Sequence, residues 1–199
     1  MTLSPRKLTL DDIADQRAYE REREEFRAHI IAIKKRRRVS IGPVVTMVFE
    51  NRDTMRFQIQ EMARAERILT DEGIQTELDI YNPVIPEPGQ LSSTLFIELT
   101  SDDELRDWLP RLVGIERSVV VRFGGQEVRS RPDRDHEAQL TREEITASVH
   151  YIQFDFSEAN LAAWGAAGPI EVAVDHSEYR FSTTLSAESV TELTSDLLA

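Results

Sequence analysis

Ser93–Pro132 reads STLFIELTSDDELRDWLPRLVGIERSVVVRFGGQEVRSRP, and His150–Ser186 reads HYIQFDFSEANLAAWGAAGPIEVAVDHSEYRFSTTLS. The two stretches present the same features in the same order. A β-rich run ends in serine, and Ser-x-x-x-Leu-x-x-Trp follows: Ser101, Leu105 and Trp108, then Ser157, Leu161 and Trp164. Serine accepts from the free N–H groups of a first helical turn, and Glu104 completes a capping box in the first stretch. Leucine and tryptophan three apart share a helix face. Each helix gives way near a glycine to a β-branched run, VVVRF or IEVAV. Each run turns, at Gly124-Gly125 or at Asp175-His176-Ser177, into a strand bearing Glu-x-Arg: Glu127 and Arg129, then Glu178 and Arg180. The spacing predicts two βαββ units, over 92–131 and 148–185. The chain has two tryptophans, and their identical setting favours an internal duplication. The expected fold is α+β: a mainly antiparallel sheet built from the two units, with N-terminal helices packed on it, in a single domain over 1–199.

Upstream lies a helical and strand region, residues 1–90. There Leu8–Arg37 reads as one helix capped by Thr9 or Asp11, with Ile13, Tyr19, Phe26, Ile30 and Ile33 as its apolar stripe. Val39–Glu50 reads as a strand covered on both faces, with a bend at Gly42-Pro43. Asn51 or Asp53 caps a helix in which Met55, Ile59, Met62 and Glu66 share a face. A second helix runs from Thr70 to about Ile80 and stops before Pro83, Pro86 and Pro88. Between the two units lies a charged stretch holding His136, read as solvated, and a short capped turn at Thr141–Glu144. Ser186 caps a last helix that buries Val190, Leu193 and Leu197.

With 199 residues, 40% of them hydrophobic, the chain can bury a substantial core. It has no cysteine, which excludes disulfides and thiolate-bound metal centres. No apolar run is long enough to span a membrane, and no secretory signal is evident, so a cytoplasmic location is expected. The net charge of -12 is uneven: residues 1–70 carry 15 Lys+Arg against 11 Asp+Glu, and residues 71–199 carry 9 against 25. That acidic body argues against broad nucleic-acid binding.

Two sets of residues invite functional readings. Strand parity puts His150 in a row with Ile152, Phe154 and Phe156, and His176 in a row with Ile170, Val172 and Val174. Glu98 stands where the other unit has Phe154, and Glu61 lies beside the apolar stripe of its helix. The plain expectation is two core histidines hydrogen-bonded by neighbours and two glutamates paired with arginine. The sharper one is a divalent metal site, for iron, manganese or zinc, made of Glu61, Glu98, His150 and His176. The run Lys34, Lys35, Arg36, Arg37 and Arg38 is a candidate partner-binding patch. Its other readings are cations at a negative helix end, neutralisation of the chain's own acidic body, or, more weakly, nucleic-acid contact. No phosphate-binding loop, dinucleotide fingerprint or HExxH motif is present.

Taken together, KKRRRVSIGP, FENRDTMRFQIQEMARAERI, ELDIYNPVIP, TLFIEL, SVHYIQF and VDHSEYR resemble the uncharacterised bacterial proteins grouped as domain-of-unknown-function family 3501, over nearly the whole chain. The resemblance implies no established activity. Genes of that family often stand beside those of a rubrerythrin-like di-iron protein and an iron–sulfur protein related to heterodisulfide reductase, which implies a setting in peroxide or redox metabolism. The expected function is a non-enzymatic accessory or assembly partner of such a system. The alternative is a metal-dependent oxidoreductase using the Glu/His set, and a third, weaker reading is nucleic-acid binding through 34–38. The residues themselves reveal no reaction.

Overall fold

The computed structural model describes residue 4 and residues 6–133, 145–166 and 168–198. His136 and the expected turn at 141–144 lie outside them. The first long helix begins later than the apolar stripe predicts. Asp15 caps it, its Oδ1 accepting from the backbone N–H of Arg17 and Ala18, each at 2.9 Å. Helix α1 therefore spans Gln16–Arg37. Before it, Thr9 and Asp12 close one 3-10 turn, and Ile13 is extended. The buried Gln60 side chain takes both backbone polar groups of Ala14, which a continuous helix would have used itself.

The stretch read as a single strand, Val39–Glu50, is a hairpin. Strands β1 (Arg38–Ile41) and β2 (Val45–Glu50) pair antiparallel, with Ile41 opposite Val45. Gly42 makes the turn possible. Its φ is +72°, and a Cβ there would lie 2.4 Å from Cγ of Phe181, so only glycine lets the turn come down on that ring.

Asn51 and Thr54 cap α2 (Arg52–Glu66) reciprocally, and Thr70 caps α3 (Asp71–Tyr81). Next come β3 (Gln90–Ile97), α4 (Asp102–Arg111), β4 (Val119–Phe123), β5 (Gln126–Arg129) and the short β6 (Arg131–Pro132). Strand β7 (Val149–Asp155), α5 (Glu158–Ala166), β8 (Glu171–His176), β9 (Tyr179–Thr184) and α6 (Ala187–Leu198) complete the order. The α+β class and both βαββ segments are present.

The strands are divided between two antiparallel sheets, ordered β1-β2-β3-β7-β6 and β5-β4-β8-β9. The leading strands of the two segments meet in the larger sheet, with Leu95 opposite His150. Their hairpins meet in the smaller sheet, with Val121 opposite Val172. Each helix packs on the other segment's hairpin. Trp108 of α4 meets Tyr179 of β9 edge-on at 6.3 Å, and Trp164 of α5 meets Phe123 of β4 at 5.3 Å. The Glu-x-Arg match does not hold in register. The pairs Phe123–Gln126 and His176–Tyr179 close the hairpins, so Glu178 stands in a turn at the place of Gly125. Arg180 then falls at the place of Glu127.

The main core lies between the sheets. The larger supplies Met47, Phe49, Leu95, Ile152 and Phe154, the smaller Val119, Val121, Val172 and Val174, and α6 adds Leu193 and Leu197. Each such side chain contributes about 1.5–3 kcal/mol by leaving water. The helices cover the other face of the larger sheet, where Met55, Ile59, Leu78, Tyr81 and Val84 pack with Leu8 and Tyr151. Tyr179 links the two sheets: its hydroxyl donates to the Ile41 carbonyl at 2.6 Å and accepts from the N–H of Val44 and Val45, each at 3.2 Å. Among the described residues, no helix is long and apolar enough to cross a membrane.

Candidate functional site

The four residues proposed as a metal set are placed by four different elements, and each has other partners. Glu61 faces α1 from α2. It accepts from Arg23 Nε and Nη2, each at 2.8 Å, and from the Tyr19 hydroxyl at 2.7 Å. The Arg23 hydrogen bonds, against some desolvation, hold its carboxyl down at about 2. Glu98 lies just past β3, half-exposed, in an ion pair with Arg38 and accepting from Thr46 Oγ1 at 2.8 Å.

Both histidines are buried, as strand parity predicts. His150 Nε2 meets Thr146 Oγ1 at 2.8 Å and the Ala147 carbonyl at 2.9 Å. Burial pushes its pKa below the ordinary value, while the nearby Glu116 charge pulls the other way. His176 Nε2 donates to the Val113 carbonyl at 3.0 Å, and its Nδ1 accepts from the Glu178 N–H at 3.2 Å. That bonding pattern is the neutral tautomer with its proton on Nε2.

Alternation along β7 explains why the set does not converge. His150 points with Ile152 and Phe154 into the core between the sheets, whereas Tyr151 points to the opposite face, where α2 packs. Glu61 therefore belongs to the helical side and His150 to the sheet–sheet side. Among the described residues, no three His, Asp or Glu side chains are grouped to hold a metal ion.

The basic run meets the protein's own carboxylates. Arg36 Nε donates to Glu192 at 2.6 Å. Arg37, only 2% exposed, donates to Asp196 at 2.6 Å and to Glu192 at 3.1 Å. Arg38 pairs with Glu98. Three of the five cations thus fasten α1 and β1 to α6 and the end of β3, and only Lys34 and Lys35 are left for an outside partner to meet without competition from these ion pairs.

Three features lay beyond sequence reading. Glu116, 3% exposed, sits near His150 with its Oε2 lacking any hydrogen-bond partner among the described residues. Glu50 is equally buried on the helical face of β2, where Thr94 Oγ1 donates to it at 2.6 Å. The third is a groove of about 180 Å³ where the chain before α1 meets the end of α2 and the start of α3. Ile13, Ala63, Ile68 and Ile74 line it, with Leu10 and Leu69 at its rim. Leu69 is 73% exposed. It follows Arg67, whose left-handed backbone (φ 56°) ends α2. A large apolar residue in a two-helix turn is the one sequence signal that could have marked this place.

Residues 7–197 match the family model described as Protein of unknown function (DUF3501). A crystal structure of a protein of unknown function from Burkholderia pseudomallei is similar to this chain, at 36% identity and a TM-score of 0.88, covering 96% of this chain and 99% of that one. No curated protein matches.

Proposed function

The chain belongs to the DUF3501 family, and from that premise we propose that it is a non-enzymatic accessory protein that binds a protein partner in a redox system of rubrerythrin-like and iron–sulfur proteins. One observation carries the reading: the apolar groove at the junction of α1, α2 and α3, with Leu10 and Leu69 exposed at its rim. Large apolar side chains presented at a concave surface mark a place for a partner. The internal engagement of Glu61, Glu98 and the three arginines supports it further, since each is already paired within the chain, and for Arg37, 2% exposed, loss of its partners would strand a buried charge. The test mixes the purified chain with a purified rubrerythrin-like protein and with the companion iron–sulfur protein. Light scattering after size exclusion should show a complex at micromolar concentration. Separate elution from both overturns the reading.

A metal-dependent oxidoreductase is the second reading, and the buried, desolvated His150 near the unpartnered Glu116 oxygen is what favours it. Elemental analysis of the purified protein, with thermal unfolding after addition of iron(II), manganese(II) or zinc(II), tests it. Bound metal, or a raised Tm with one ion, supports it; neither leaves it without support.

A further inference from the structure

The groove selects for chemistry at its floor and at its rim. The two buried polar side chains of the lining, Gln60 and Tyr19, are already committed. Gln60 is taken by the backbone of Ala14, and the Tyr19 hydroxyl by Glu61. A polar group entering there would lose water and find no replacement, whereas an apolar group would lose nothing. The space, about 180 Å³, compares with the ~150 Å³ apolar cavity that takes up benzene. That is room for one large side chain.

The rim has a sign. Asp15, the cap of α1, and Asp71, in the first turn of α3, line it. Asp15 is held ionised by the N–H groups of Ala18 and Arg17. The cation that lines the groove, Arg64, is neutralised by Glu20 at 2.6 Å. Among the residues that line the groove the surplus charge is negative, with Arg17 and Arg21 of α1 offsetting part of it at Asp15, and an acidic segment approaching Leu69 on the Asp71 side would be repelled.

Resting on the accessory reading above, we infer that the groove receives a large apolar side chain from a partner segment in which Lys or Arg stands next to that side chain. The apolar group fills the floor between Ile13, Ala63, Ile68 and Ile74, and the cation lies over Asp15 and Asp71. Leu10 and Leu69 close over the stem.

Two blocked peptides serve as probes on the full chain: one with the core Lys-Leu-Leu-Lys, the other with Glu-Leu-Leu-Glu. Amide shifts of the isotope-labelled protein report where each binds. The basic peptide is expected to shift amides within 10–19 and 63–74, in the millimolar range, and to weaken several-fold between about 0.02 M and about 0.3 M salt. Leu69→Asp, at an exposed position, should abolish those shifts, and Asp71→Lys should reverse the preference between the peptides. Equal binding of both peptides, or shifts centred elsewhere, overturns the inference. The two readings fail separately. A redox complex insensitive to Leu69→Asp removes the groove and keeps the accessory role. A groove that takes the basic peptide while neither redox protein binds removes the redox role and keeps the groove.

Discussion

The larger sheet turns one surface toward the smaller sheet and a different one toward the helices. Toward the smaller sheet it presents Met47, Phe49, Leu91, Leu95, Ile152 and Phe154, interrupted only by Ser93 and His150 on β3 and β7. Toward the helices it presents buried Thr46, Glu50, Ser92, Thr94 and Gln153 beside the apolar Val48 and Tyr151. Several of these make directed bonds: Thr94 to Glu50 at 2.6 Å, Gln153 to the Pro83 carbonyl at 2.8 Å. Two atoms there, Glu50 Oε2 and Ser92 Oγ, have no partner among the described residues. The apolar face binds by area, which is strong and tolerant of small shifts. The helical face adds to its apolar packing bonds that act by direction, which contribute less net stability but fix where the helical layer and the loop after α3 must sit.

Four substitutions or titrations break or sharpen that contrast. Phe154→Ala should cost the most, about 3–5 kcal/mol in urea unfolding, because it opens a cavity where the sheets interdigitate. A loss below about 1 kcal/mol would mean that the sheets can close over the gap. Thr94→Val keeps the shape but leaves the Glu50 carboxylate without its donor, and about 1–3 kcal/mol should be lost.

His150 gives a pH signature to the apolar face. Its pKa is lowered by burial from the ordinary 6.5, so the unfolded chain takes up the proton more readily. The stability tied to the neutral ring is complete above that value and is lost as pH falls below it toward the folded pKa. The urea midpoint should therefore drop between about pH 7 and about pH 5.5, and drop less in His150→Gln. Identical pH profiles for the two proteins would contradict the burial argument. Ser92→Ala should matter least, within about 0.5 kcal/mol of neutral in either direction. Its hydroxyl makes no bond among the described residues, so a loss above about 1 kcal/mol would reveal a bound water serving it.

Much of this arrangement could be read from residue patterns. Parity placed His150 and His176 in buried rows. The caps at Ser101 and Thr70 fall where the sequence puts them, and Ser157 is capped in return by Asn160, a reciprocal pair not anticipated. Trp108 and Trp164 each reach the other segment's hairpin, meeting Tyr179 and Phe123.

What pattern could not supply was distance between elements. Local spacing says which face a side chain takes, not which sheet that face meets. Glu61 and His150 therefore looked like possible neighbours although a sheet stands between them. The hairpin at Gly42 was hidden for a related reason: valines on both sides of it fit one long strand as well as two short ones. The groove depends on three chain segments meeting, and only the exposed Leu69 carries a local trace of it.

Gly42 has a further consequence, and it is evolutionary. The contact with Phe181 is so close that a side chain at 42 and a ring at 181 exclude each other. The Tyr179 hydroxyl lies 2.6 Å from the same imagined Cβ. Positions 42, 179 and 181 are thus expected to vary as one unit among relatives: a residue other than glycine at 42 should come with a smaller group at 181 and loss of the phenol at 179. A relative with alanine at 42 that kept both rings would need a different turn between its first two strands.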